Sequence, residues 1–182
     1  ILSNHVVVGT AAFSSDLTNS YVNTAAEFDV DENLSLYINI DDGVTLNGTS
    51  GVVMADIVAS NGVIHTVDAV IDLPTVVTFA AADPTFSTLV QALTELTPST
   101  DFVSVLSAQD GAGSDPFTVF APTNDAFAAL ASIPAEADLI PILQHHVVAG
   151  ANVRSGDLSD GATATTLEGD MITINLPGTG DN

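Results

Sequence analysis

The chain contains no cysteine, and among its 182 residues a single basic side chain, Arg154, faces 23 acidic ones. The first absence excludes disulfides, thiolate nucleophiles and cysteine-based metal sites. It suits a cytosolic or a bacterial extracellular protein better than a small secreted eukaryotic module. The second leaves a formal net charge of −22. Such a surface repels phosphate backbones and anionic lipid, so it argues against nucleic acid and membrane surfaces as partners. It attracts cations and keeps the chain soluble in saline surroundings. No apolar run reaches the roughly 18 residues of a membrane span. No secretion signal is visible, although residue 1 already reads as mid-domain. The G-x-S-x-G, P-loop, G-x-G-x-x-G and H-E-x-x-H signatures are missing too. A hydrophobic content of 46% is ample for a packed core.

An internal repeat organises what is present. "ILSNHVVVG" at 1–9 returns as "ILQHHVVAG" at 142–150, an offset of 141 that carries His5 onto His146. "SSDLTN" is then matched by "RSGDLSD", and "SLYINI" by "MITINL". One repeat is the size of a whole domain. The chain therefore reads as the rear half of one unit, 1–74, and the front two thirds of the next, 75–182.

The front of the second unit reads as helical. Asp83 and Pro84 are placed to start a helix whose apolar residues run from Phe86 to Leu96, with Pro98 as its stop. "TDFVSVLSAQ" is expected as a short helix broken by Gly111 and Gly113, "FTVFAP" as a strand, and "TNDAFAALAS" as a capped helix with Phe127 and Leu130 on one face. In "ADLIPILQHHVV" a proline is tolerable only in the first turn, which places Pro141 there. The rear of the first unit reads as β. "SLYINI" alternates, and two apolar strands meet at Asn61-Gly62, a dipeptide that suits a turn with φ > 0 at both positions. Few polar residues interrupt those strands, which predicts cover on both faces.

"PFTVFAPTNDAFAAL" (116–130) resembles the first signature of the fasciclin-like domain family, and "DIVASNGVIHTVDAVIDLP" (56–74) its second. "LIPILQHHVVAG" (139–150) and "ILSNHVVVG" (1–9) resemble the segment between them. With its acidity and lack of cysteine the chain is most similar to the bacterial extracellular type. The resemblance implies an α+β wedge, a two-sheet β-sandwich with several α-helices packed on one side. It also implies tandem, secreted or surface-anchored modules that serve adhesion and are not enzymes. In some animal members an Asp-Ile pair and a Tyr-His pair contact receptors. Asp56-Ile57 matches the first; the tyrosine of the second is replaced by Asn4 before His5 and by His145 before His146.

Each candidate residue has two readings. His65 is a ligand or pH switch, or a strand histidine bonded to backbone, and the second is favoured. Asp68, three positions on, faces the other side of a regular strand. His145 and His146 are adjacent and lack the i, i+4 spacing of a zinc helix. The resemblance makes His146 and His5 structural residues at a helix-to-strand junction. Thr123 or Asn124 caps the following helix, with Asp125 favoured in its first turn. Asp56 and Ile57 are the candidates for partner contact. "DVDEN" (29–33) and Asp41-Asp42 imitate part of a calcium loop, without its glycine and later glutamate. Arg154 is expected in an ion pair.

The favoured expectation is an extracellular or cell-surface adhesion module, acting by contact with a protein, the matrix or a copy of itself, with no cofactor. The alternatives are a filament subunit that self-assembles by sheet complementation, and a calcium-binding surface module.

Overall fold

The computed structural model describes residues 1–29, 32–108 and 116–176. The chain divides into two compact units, Ile1–Pro84 and Thr85–Asn182. The contact boundary lies beyond Pro74, where the sequence reading divides the chain.

The first unit is an antiparallel meander whose strands neighbour one another in chain order. These are β1 (Ser20–Asp29), β2 (Glu32–Asn39), β3 (Thr45–Leu46), β4 (Ser50–Ala59) and β5 (Gly62–Val67). Leu36, Tyr37 and Ile38 of β2 form the buried centre with Ala26 and Ile71. Burying side chains of this size contributes roughly 1.5–3 kcal/mol each. The β3–β4 turn is tight. Asn47 sits at φ 50 and Gly48 at φ 68. Asn47 Oδ1 accepts the Tyr37 N–H at 2.8 Å, while its buried Nδ2 has no hydrogen-bond partner among the described residues. Helix α1 (Val76–Ala82) opens on a reciprocal Thr75–Thr78 capping box. It belongs to this unit: the Tyr21 ring stands edge-on to Phe79 at 5.5 Å, and Tyr21 Oη donates to Asp83 Oδ2 at 2.9 Å.

Asp83 ends α1, its N–H returning to the Phe79 carbonyl at 3.0 Å, and it directly precedes a 3₁₀ turn, Pro84–Phe86, that runs on into the next helix, so Pro84 takes the first helical position as the sequence suggests. One expectation fails here: the β4–β5 hairpin is not covered on both faces, since Val53, Met54, Val58 and Ile64 are all exposed. The side chains that turn inward on β5 are the half-buried Val63, His65 and Val67. An apolar run with no polar alternation does not say whether its second face is covered.

The second unit carries α2 (Ser87–Thr94), α3 (Phe102–Leu106), β6 (Phe117–Val119), α4 (Asn124–Ala128), α5 (Glu136–His145), β7 (Val147–Ala149), β8 (Thr163–Thr165) and β9 (Met171–Thr173). Leu89, Ala92, Phe102, Phe127, Leu139 and Leu143 pack into its core. β6 pairs antiparallel with β7, β8 with β9, and a bridge from Val148 to Thr166 links the pairs. Pro141 lies inside α5, past its first turn. The helix continues there at the loss of one backbone donor. Leu130 falls beyond α4 and is exposed, so it shares no face with Phe127. Gly111 and Gly113 lie outside the described residues.

The sequence repeat is also a structural one. Ser14–Asp16 and Ser155–Asp157 are both single 3₁₀ turns. The Val6 carbonyl accepts from Ala25 N at 2.7 Å, and the Val147 carbonyl from Leu167 N at the same distance. An antiparallel pair follows in each unit, β1–β2 and β8–β9.

Candidate functional site

β5 presents His65 to the segment ahead of the Ser14–Asp16 turn. Nε2 meets the Ala12 carbonyl at 2.8 Å, and Nδ1 accepts the Asp56 N–H at 3.4 Å. A carbonyl on one nitrogen and an N–H on the other select the neutral ring protonated at Nε2. His65 therefore ties β4 and β5 to the residues that precede β1.

Asp56 stands at φ 61, beside a register irregularity between Met54 and Ile57. Its carboxylate turns back to Ser14, accepting from the backbone N–H at 2.8 Å and from Oγ at 2.5 Å. Those two bonds hold the carboxyl below its ordinary range. The neighbouring Ile57 is exposed. Of the Asp-Ile pair, then, the apolar member faces solvent and the acid braces the fold.

The hairpin turn differs from its dipeptide signal. Ala59 pairs with Gly62, so Ser60 and Asn61 form the loop. Neither Asn61 nor Gly62 has positive φ. The left-handed residue falls at Asp56 instead, where the ladder slips. Asp68 does not approach His65; its Oδ1 accepts the Gly51 N–H at 2.7 Å.

His5 and His146 make the same local bond. Nδ1 of each meets the carbonyl four residues back, Ile1 at 3.1 Å and Ile142 at 2.8 Å. His5 also accepts the Ile71 N–H on Nε2 at 2.9 Å. Beside it Asn4 is wholly buried, donating to the Asp72 carbonyl at 2.9 Å and accepting from Thr24 Oγ1 at 3.2 Å. Sequence reasoning overlooked this latch. Its only signal was a polar residue flanked by an apolar repeat. His145 reaches Glu168 at 3.2 Å on the surface.

In the second unit Thr123 caps α4, accepting from Ala126 N at 3.4 Å. Asn124 serves a different helix. Its Oδ1 accepts from Thr88 N at 2.9 Å and Ser87 Oγ at 3.2 Å, at the start of α2, which has no side-chain cap from its own N-cap residue. Arg154 precedes the Ser155–Asp157 turn, and its carbonyl accepts from Asp157 N at 3.0 Å.

Among the described residues, no group of three or more His, Asp or Glu side chains could hold a metal ion. Asp41 is engaged by the amides of Asn19 at 2.9 Å and Asn39 at 3.2 Å. Part of the calcium-like stretch, residues 30–31, lies outside the described residues. What the first unit does present is a groove. One cleft of about 570 Å³ runs between Val6–Ala11 and the hairpin end at Asn61–Ile64, and an adjoining one of about 340 Å³ reaches Leu36, His65 and Ile71. No described helix is long and apolar enough to cross a membrane.

The fasciclin domain model matches residues 1–74 and 84–181. The chain belongs to the fasciclin domain family. The two matches stand in tandem, and fasciclin domains are adhesion-type, protein-interaction modules that are typically extracellular or surface-associated. Two proteins of the cyanobacterium Synechocystis sp. are similar to this fasciclin chain. Protein sll1483 is 41% identical over 114 residues, covering 56% of this chain and 55% of its own length. Protein sll1735 is 40% identical over 108 residues, covering 56% and 74%. The chain thus spans about half the length of the first of these relatives. Among solved structures, a FAS1 domain pair from the insect cell adhesion molecule fasciclin I aligns with a TM-score of 0.51 at 21% identity, covering 86% of this chain and 57% of that one. That likeness establishes the shared α+β fold.

Proposed function

We propose that this chain is an extracellular or cell-surface adhesion module that acts by contact and not by turnover. The observation that carries the reading is the exposed apolar surface of the β4–β5 hairpin. Ile57 and Ile64 pair across the ladder on one face, and Val53, Met54 and Val58 are exposed on the same hairpin, which His65 and Asp56 hold firm. Exposed apolar patches of this kind mark interaction surfaces. The acidic remainder keeps such a surface soluble and selects against anionic partners. Both family matches and the adhesion role named for the insect protein support the reading. Residues 1–74 and 75–182 then act as consecutive units in one contact array, with Asp56 placing Ile57 at the partner.

Beads coated with the chain test this on cultured cells and on matrix-coated surfaces. Ile57→Asp with Val58→Asp is expected to lower adhesion severalfold with no change in melting temperature, because both positions are exposed. Adhesion indifferent to that change would remove the hairpin from the role. Saturable turnover of ester, glycoside or phosphate substrates, abolished by His65→Ala, would replace contact with catalysis.

A further inference from the structure

The dipeptide Asn-Gly occurs twice in the first unit, at Asn47-Gly48 and at Asn61-Gly62, each between strands that are described in full. Its chemistry is the same in both places. The backbone nitrogen of the glycine can attack the side-chain carbonyl carbon of the asparagine, and a residue without Cβ does not obstruct the ring that forms. The surroundings differ. Asn47 is 3% exposed, and its Oδ1 is held by the Tyr37 N–H at 2.8 Å. Gly48 is packed so closely that a Cβ there would stand 3.0 Å from the Ala82 Cβ. The Asn47 side chain can swing onto the Gly48 nitrogen only by releasing Tyr37 inside that packed turn. Asn61 is exposed, the second residue of a two-residue loop, and its amide makes no hydrogen bond among the described residues. Around Gly62 nothing lies within 4 Å of where a Cβ would stand.

We infer that Asn61-Gly62 is a self-modification site, converting through a cyclic imide to aspartate and isoaspartate, and that the fold protects Asn47-Gly48 from the same reaction. In the first step the Gly62 nitrogen bonds to Asn61 Cγ, the Cγ–Nδ2 bond breaks, and ammonia leaves with the proton given up by the Gly62 N–H. Water then opens the imide. Addition at Cγ restores the original backbone and leaves aspartate. Addition at the backbone carbonyl of Asn61 breaks its bond to the Gly62 nitrogen and leaves isoaspartate, whose main chain runs through Cβ and Cγ. Either product adds a negative charge to a chain already at −22. Isoaspartate also lengthens the loop by one backbone carbon. Loop length sets hairpin register, and the nearest pairs are Ala59 with Gly62, Val58 with Val63 and Ile57 with Ile64. The modified turn therefore disturbs the end of the hairpin that carries Ile57, Val58 and Ile64. The consequence for adhesion rests on the contact reading; the reaction itself does not.

The test incubates the folded chain in mildly alkaline buffer and follows both sites by mass spectrometry of proteolytic peptides. Enzymatic methylation of the isoaspartyl carboxylate with labelled S-adenosylmethionine gives a second readout. Asn47 reacts only after local opening, so Asn61 should convert about tenfold or more faster in the folded chain, and the two rates should converge in urea. Gly62→Ala should slow conversion at Asn61 severalfold, and Asn61→Ser should abolish it there. Equal rates at the two sites in the folded chain, or an Asn61 that stays intact while the urea-unfolded chain converts, overturns the inference. Beads coated with aged wild type should adhere less than beads coated with equally aged Asn61→Ser chain. Conversion at Asn61 with adhesion undiminished leaves the modification site standing and counts against the hairpin as the contact surface.

Discussion

His5 and Ile71 are 66 positions apart, and the Ile71 N–H donates to His5 Nε2 at 2.9 Å. Ile71 is buried, so that N–H has no water to turn to when the ring is removed. With Asn4 holding the Asp72 carbonyl, the pair fastens the chain after β5 to the segment ahead of β1.

His5→Ala should therefore destabilise the first unit by about 1–3 kcal/mol, the penalty for a buried donor left unsatisfied. His146→Ala removes only a local bond to Ile142 and should cost less. Urea unfolding of the two variants checks the order. Equal losses would show that the Ile71 contact contributes nothing.

Acid should weaken the fold through Asp56 and Glu136. The bonds from Ser14 lower the first carboxyl below its ordinary 3.8, and those from Ser99 lower the second below 4.5. A depressed folded value means the contribution is whole above the ordinary range and disappears as pH falls through the folded one. Stability should thus decline below about pH 4. Asp56→Asn, which tolerates the left-handed backbone, should flatten part of that decline. Denaturation midpoints at pH 7 and pH 3 measure it, and an unchanged acid limb would remove Asp56 from the account.

Two adjacent residues cap two different helices. Thr123→Ala should cost about 1 kcal/mol through α4. Asn124→Ala should cost as much or more, about 1–2 kcal/mol, because its Oδ1 serves the start of α2 with two bonds. Thermal melts of both single variants and the double test this. An Asn124→Ala melt matching the wild type would contradict the link between α4 and α2.

Two glycines separate the observed hairpin from the one its sequence suggests. Gly62 lacks positive φ and has open space where a Cβ would stand, so Gly62→Ala should change stability by less than about 0.5 kcal/mol. Gly48 stands at φ 68, and an added Cβ would lie 3.0 Å from the Ala82 Cβ. Gly48→Ala should cost more than about 1 kcal/mol. A costly Gly62→Ala would restore the positive-φ turn at Asn61-Gly62.

What the sequence determined by itself was the local and the repeated. Thr123 as a cap, Phe102 and Phe127 at helical positions, the strands around residues 35–67 and the 141-residue offset are all written in nearest neighbours or in self-similarity. Only the tertiary structure decided which face of each element is covered and where each polar group finds its partner. Leu2 and Leu143 stand at the same place in the repeat, yet one is exposed and the other buried, because burial depends on what packs against a residue and not on its type. Asp56 turned to Ser14 and Asn124 to Thr88 because a side-chain oxygen accepts from whichever N–H the fold brings within reach, and here those donors lay 42 and 36 residues away in sequence.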